Sequence, residues 1–288
     1  MTQPPSNTAT NAEDPTAFGE THIIHPKRRH THTLVFLHGR GSTGRELAAE
    51  LASTRMSDRR NLQQALTGYR LVFPTARGVW SHTFSEYTPA WLETFFFARH
   101  VDKHAVVSAG IASAVEYLTG LVRAEIELLG GRPHRVILAG ISEGASVGMW
   151  TLFCQGLRLG GFIGINTTLP FAPSIQRQLN SGCPSRPGGR SAEEHRRQNV
   201  FVNTMLAPVK EKLGRGSTLS LLQTPVLLTH GVDDAFVDAE LGREACDTLN
   251  IMGFRPSWIE YVGADEYGHW IKEPEGVDDL YDFITSVE

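Results

Sequence analysis

The serine with the best context for nucleophilic chemistry lies in Gly140-Ile141-Ser142-Glu143-Gly144, directly after the apolar run Val136-Ile137-Leu138-Ala139 and before a stretch of small residues with helical composition. G-x-S-x-G between a strand and a helix is the sequence form of a nucleophile elbow, a sharp turn that presents the hydroxyl at the carboxyl edge of a sheet. Glycines flank such a serine because the strand and helix backbones approach too closely for a Cβ. A serine hydroxyl is a weak nucleophile at neutral pH. The chemistry therefore requires a base in hydrogen-bond reach, a carboxylate behind the base, and donors for a developing oxyanion.

Chain order narrows the partners. For an elbow serine the acid follows the nucleophile and the histidine comes last. Only His195, His230 and His269 follow Ser142. His195 sits in the polar stretch Glu193-Glu194-His195-Arg196-Arg197, which reads as a solvated face. His230 ends a strand and opens His230-Gly231-Val232-Asp233-Asp234, a place for a packing role under the loop. His269 follows the last strand and the loop Gly263–Gly268, and it alone comes after the candidate acids. No Asp lies between Ser142 and Asp233, and Glu193, Glu194 and Glu211 fall in an irregular segment. Of Asp233, Asp234 and Asp238, the H-G-x-x-D spacing favours Asp234. Asp233 then reads as a solvent-facing turn residue and Asp238 as a helix N-cap. The oxyanion donors expected are the backbone N–H of Glu143, at a helix N-terminus, and that of Arg40, in the glycine-rich loop His38-Gly39-Arg40-Gly41-Ser42. Trp91, Phe236 and Trp270 are expected to line the substrate pocket. A triad of this kind needs no cofactor and no metal. The pair His30-x-His32 lacks the further ligands a metal requires.

The elements that must position these groups alternate along the chain. Strands are expected at Thr21–His25, Thr33–Leu37, Tyr69–Phe73 (stopped by Pro74), Val136–Ala139, Gly161–Ile165, Pro225–Thr229 and Ser257–Val262. Helices are expected at Arg45–Leu66, Ile111–Leu129, Ala239–Met252 and Val277–Val287, while Ala76–Phe97 reads as irregular and aromatic. Short apolar strands separated by helical crossovers predict an α/β fold, a mostly parallel sheet with helices on both faces and its site at the carboxyl ends of the strands. Residues 1–18 read as a disordered tail and 19–288 as a single domain. Residues 171–220 are a candidate lid insertion, with a loop first and then an amphipathic helix opened by the capping box Ser191-x-x-Glu194. At 288 residues and 41% apolar composition the chain has ample core. A net charge of −4 without a basic stripe excludes a nucleic-acid binder. Three isolated cysteines, Cys154, Cys183 and Cys246, suit a reducing compartment. With no secretory h-region and no apolar run of the length that spans a bilayer, the expectation is a cytoplasmic protein without stable membrane insertion.

With these pieces placed, the chain resembles the phospholipase/carboxylesterase family, whose best-known members are acyl-protein thioesterases. The residues that carry the resemblance are LVFLHGRGSTG (34–44), FPTA (73–76), AWLE (90–93), RVILAGISEGA (135–145), LGGFIGI (159–165), VLLTHGVDDAFV (226–237) and the region of His269. The resemblance implies an α/β-hydrolase fold and a cofactor-independent serine hydrolase that cleaves carboxylic esters or acyl thioesters through an acyl-enzyme. The family triad falls on Ser142, Asp234 and His269, and the oxyanion donors on Arg40 and Glu143. The substrate implied is an acyl-chain ester or thioester, on a small molecule, a protein or a carrier. Acyl transfer to an alcohol and ligand binding without catalysis are the alternative outcomes for the same fold. Two departures stand out: relatives often carry Gln where Glu143 stands and an apolar residue where Arg40 stands. The two charged side chains are placed to pair or to gate the entrance.

Overall fold

The computed structural model describes residues 14–81, 84–93, 103–179, 199–207 and 220–286. Its strands are β1 (Phe18–Ile24), β2 (His32–Leu37), β3 (Tyr69–Ser81), β4 (Glu86–Pro89), β5 (Val136–Ile141), β6 (Gly161–Ile165), β7 (Val226–Gly231) and β8 (Pro256–Tyr261). They form one sheet in the order β1-β3-β2-β5-β6-β7-β8, with β4 paired to the far end of β3. From β3 to β8 every neighbour along that path is parallel, while β1 and β4 run antiparallel to β3.

Alternation along the central strands explains the two layers of core. Val35, Leu37, Val136, Leu138, Phe162, Val226 and Leu228 point to one face, and Leu34, Phe36, Ile137, Ala139, Ile163, Ile165 and Leu227 to the other. The first face is covered by α3 (Lys103–Leu128), α4 (Glu143–Gln155), α5 (Ala172–Leu179), α6 (described over 199–207) and α7 (Ala239–Met252). The second is covered by α1 (Gly44–Ser53), α2 (Leu62–Ala65) and α8 (Glu275–Ser286). Strands buried on both faces read as continuous apolar runs, as β5 does. This is the α/β-hydrolase fold class that the sequence predicts.

Four elements differ from expectation. β3 does not stop at Pro74. Its parallel pairing with β2 ends at Val35↔Val72, and its pairing with β1 shifts register between Gly19 and His22, so Pro74 falls where no ladder hydrogen bond is required. The strand then continues into a hairpin with β4, within the stretch expected to be irregular. The helix expected over Arg45–Leu66 is two helices, because Asn61 and Gln64 form a reciprocal capping box that starts α2 afresh. A helix, α5, occupies part of the expected loop, with Ala172 and Ile175 on its buried side. Finally, α3 holds a stretch, Ala105–Leu128, long and apolar enough to cross a membrane, contrary to the expectation of no such run. In the fold Ile111, Ala114, Leu118, Val122 and Ile126 of that helix are core residues.

The candidate lid, residues 171–220, is described only in part. Its described helices pack on the core: Val202 and Leu206 are buried, and the Phe201 ring lies 5.5 Å from Trp150 and 5.3 Å from Phe171. The capping box at Ser191, together with His195, Cys183, Glu193, Glu194 and Glu211, lies outside the described residues.

Phe162 is fully buried at the centre of the first face, and its ring fills the space beside Gly148. Phe162→Ala is expected to cost about 3–5 kcal/mol, read as a lowered urea midpoint with an unchanged m-value.

Candidate active site

Ser142 joins β5 to α4 with φ 54° and ψ −124°, a conformation that L-residues avoid. Its N–H donates to the Ile165 carbonyl at 2.8 Å, and its own carbonyl accepts from Ser146 N at 3.2 Å and Thr167 Oγ1 at 2.9 Å. The flanking glycines are obligatory. A Cβ on Gly140 would lie 2.5 Å from Ala145 N, and one on Gly144 2.5 Å from the His38 carbonyl oxygen. A Cβ on Gly39 would meet Ser142 Cβ at 3.4 Å, so the glycine-rich loop after β2 lies directly over the serine.

Asp234 and His269 lie on the loops after β7 and β8. Asp234 is fully buried at its carboxylate: Oδ1 accepts from the N–H groups of Phe236 (2.8 Å) and Val237 (2.9 Å), and Oδ2 from His269 Nδ1 at 2.6 Å. A carboxylate oxygen accepts, so in this bond Nδ1 carries a proton and donates it. The two loops lock together, with Ala235 N donating to the Tyr267 carbonyl at 3.0 Å; a Cβ on Gly268, where φ is +84°, would meet Asp233 at 2.7 Å. Asp233 is an exposed turn residue whose Oδ2 accepts from Gly263 N, and Asp238 caps α7 through Glu240 N. His230 packs beneath the acid loop, as the sequence suggested. Its Nε2 donates to the Val237 carbonyl at 2.9 Å and lies 3.4 Å from Asp234 Oδ2, and burial lowers its pKa.

The two charged departures meet. Arg40 donates to Glu143 Oε1 at 2.7 Å and also to the Leu92 carbonyl, while Glu143 Oε2 accepts from Trp91 N at 2.8 Å. Burial raises the Glu143 pKa, and the Arg40 guanidinium opposes that rise. The side chains thus clasp the segment at Trp91–Leu92 to the elbow. His38 is buried beneath the loop. Its Nε2 accepts from Ala76 N at 3.0 Å and its Nδ1–H donates to the Gly39 carbonyl at 2.6 Å.

A cavity of about 790 Å³ opens over the strand ends, with Ser142, His269, Arg40 and Glu143 on its wall. Phe236 and Trp270 line it as expected. Trp91 does not: only 1% exposed, it sits in the core below and donates from Nε1 to the His38 carbonyl. The neighbouring Leu92 takes its place on the wall. Asn166, buried at the end of β6, escaped the sequence reading, although a polar residue directly after an apolar strand was a usable signal. His30 and His32 hydrogen-bond to Thr33 and Thr31, and no group of three or more His, Cys, Asp or Glu among the described residues could hold a metal.

This architecture belongs to the α/β-hydrolase class. The phospholipase/carboxylesterase family model matches residues 19–185, more than half of the chain, which therefore belongs to that family and is an ester hydrolase. It is 23% identical over 259 residues to acyl-protein thioesterase 1 of Gibberella zeae, covering 89% of this chain and 90% of the relative. Against acyl-protein thioesterase 1 of Emericella nidulans it is 21% identical over 272 residues, covering 92% and 94%. Among solved structures, acyl-protein thioesterase 2 of Zea mays superposes with a TM-score of 0.61 at 20% identity, covering 93% of this chain and 99% of that one. The Bacillus cereus carboxylesterase gives 0.55 at 13% identity, covering 96% of each.

Burial pushes the His38 imidazole from its ordinary 6.5 down to about 4. The unfolded chain takes up a proton in that interval and the folded chain refuses it. Stability present above 6.5 is therefore lost as the pH falls toward about 4, by about 3 kcal/mol in full. In His38→Gln the difference in unfolding free energy between about pH 7 and about pH 4.5 is expected to shrink, measured by urea titration at both values.

Proposed function

We propose that the chain cleaves carboxylic esters and acyl thioesters through an acyl-enzyme on Ser142. His269 Nε2 takes the Ser142 proton as Oγ attacks the acyl carbonyl. Asp234 holds the imidazole in the required tautomer and stabilises the imidazolium. The N–H groups of Arg40 and Glu143 receive the tetrahedral oxyanion. His269 returns the proton to the departing alkoxide or thiolate, and a water activated by the same imidazole then deacylates Ser142. The observation that carries this reading is the 2.6 Å bond between His269 and the buried Asp234 carboxylate, on the wall of the same cavity as the strained Ser142. Leu47, Leu92, Ile141, Phe236 and Trp270 give that cavity an apolar lining suited to an acyl chain. The name acyl-protein thioesterase, borne by several relatives, supports acylated proteins or carriers as substrates alongside small esters.

Ser142→Ala is expected to abolish both hydrolysis of a p-nitrophenyl ester and labelling by a fluorophosphonate. Asp234→Asn is expected to keep the fold and lose roughly 10⁴ in kcat. Retained turnover in Ser142→Ala, or a parent protein that binds acyl esters without releasing acid, would remove the proposal.

A further inference from the structure

The loops that carry Asp234 and His269 are tied to each other, at the end of the strand beside the elbow, by one side chain outside the catalytic set. We propose that Asn166 is a positioning residue that holds His269 and the Asp234 loop in register with Ser142, a role that rests on the hydrolytic reading above. Asn166 directly follows β6 and is 1% exposed. Its Oδ1 accepts from Gly231 N at 2.9 Å, at the start of the loop that leads to Asp234. Its Nδ2 donates to the carbonyls of Gly268 at 3.4 Å and Trp270 at 3.2 Å, the residues on either side of His269. Its own N–H donates to Thr229 on β7, and the preceding carbonyl, Ile165, accepts from Ser142 N. Asn166, with the carbonyl just before it, thus connects the turn at Ser142, the loop of Asp234 and the residues on either side of His269.

The residue type follows from these demands. At φ 48° Asn166 is left-handed, a region that Asn enters more readily than other side chains. The site also requires an acceptor and a donor on one short planar group. Gly offers the backbone without either, an ionised Asp offers acceptors only, and Ser is too short to reach both loops. Three backbone groups take this side chain as a partner, those of Gly231 and Gly268 in buried bonds and that of Trp270 in a partly buried one, so its removal takes a partner from each and frees the segment that carries the imidazole. A displacement of about an ångström at a reacting group costs on the order of 100-fold in rate.

Two variants test the role. Asn166→Gly keeps the left-handed backbone and removes the carboxamide. Asn166→Asp keeps the shape and the acceptor for Gly231 N–H while removing the donor. The measurements are kcat and KM on p-nitrophenyl butyrate, the rate of Ser142 phosphonylation by a fluorophosphonate, the melting temperature, and the downfield proton resonance of the His269–Asp234 hydrogen bond. Below the melting transition, kcat and the phosphonylation rate are expected to fall roughly 10- to 100-fold with KM nearly constant, and the downfield resonance to shift or broaden. A purely structural tie would lower the melting temperature and leave kcat and the resonance in place, which overturns the role. If Asn166→Gly does not fold, Asn166→Asp decides on the same readouts. A parent protein that is not phosphonylated at Ser142 overturns the hydrolytic reading and this role together. A parent that reacts, with variants that react equally fast, overturns the Asn166 role alone.

Discussion

The candidate site depends on a steric constraint: backbone segments meet around Ser142 so closely that Gly140 and Gly144 have no room for a side chain. Gly140 lies against the first turn of α4, Gly144 against the end of β2, and Gly39 against Ser142 itself. These approaches place the glycine-rich loop and the start of α4 on either side of Ser142. They also hold Ser142 in a conformation that costs on the order of 1–3 kcal/mol, sustained by hydrogen bonds to Ile165, Thr167 and Ser146. Strain of this size persists only because the surrounding sheet over-determines the turn.

Around that turn the protein buries two carboxylates and treats them differently. Asp234 is satisfied by two backbone amides and the His269 imidazole. Glu143 is satisfied by a guanidinium and one backbone amide, so its charge is already balanced. Burying a carboxylate without such partners would be prohibitive. The hydrogen-bond partners thus separate a carboxylate joined to an imidazole from one that holds the wall.

The central strands, the elbow and the assignments of Asp234 and His269 to adjoining loops were legible because each leaves a short-range signal: an apolar run, a glycine pair, an order along the chain. The role of His230 beneath the loop and the cap at Asp238 were legible for the same reason. What the sequence concealed depends on partners far along the chain. Pro74 terminates a strand by local rules, yet here it falls at a register shift set by β1. Trp91 resembles a pocket residue in an aromatic stretch, but its indole N–H finds the His38 carbonyl and the ring turns inward. Asn166 carries no local motif; its meaning comes from Gly231, Gly268 and Trp270, more than sixty residues downstream.

The pairing of Arg40 with Glu143 has an evolutionary consequence. Each residue's backbone can serve as a donor whatever its side chain, so both positions are free to vary in principle. Once one becomes charged and buried at the wall beside Ser142, that freedom ends. An unpaired Glu143 would leave a buried carboxylate without its guanidinium, and an unpaired Arg40 would lose its anchor at the wall. A lineage that changes one of them alone leaves the other without its partner. The two positions, 103 residues apart in the chain, therefore behave as a single inherited character.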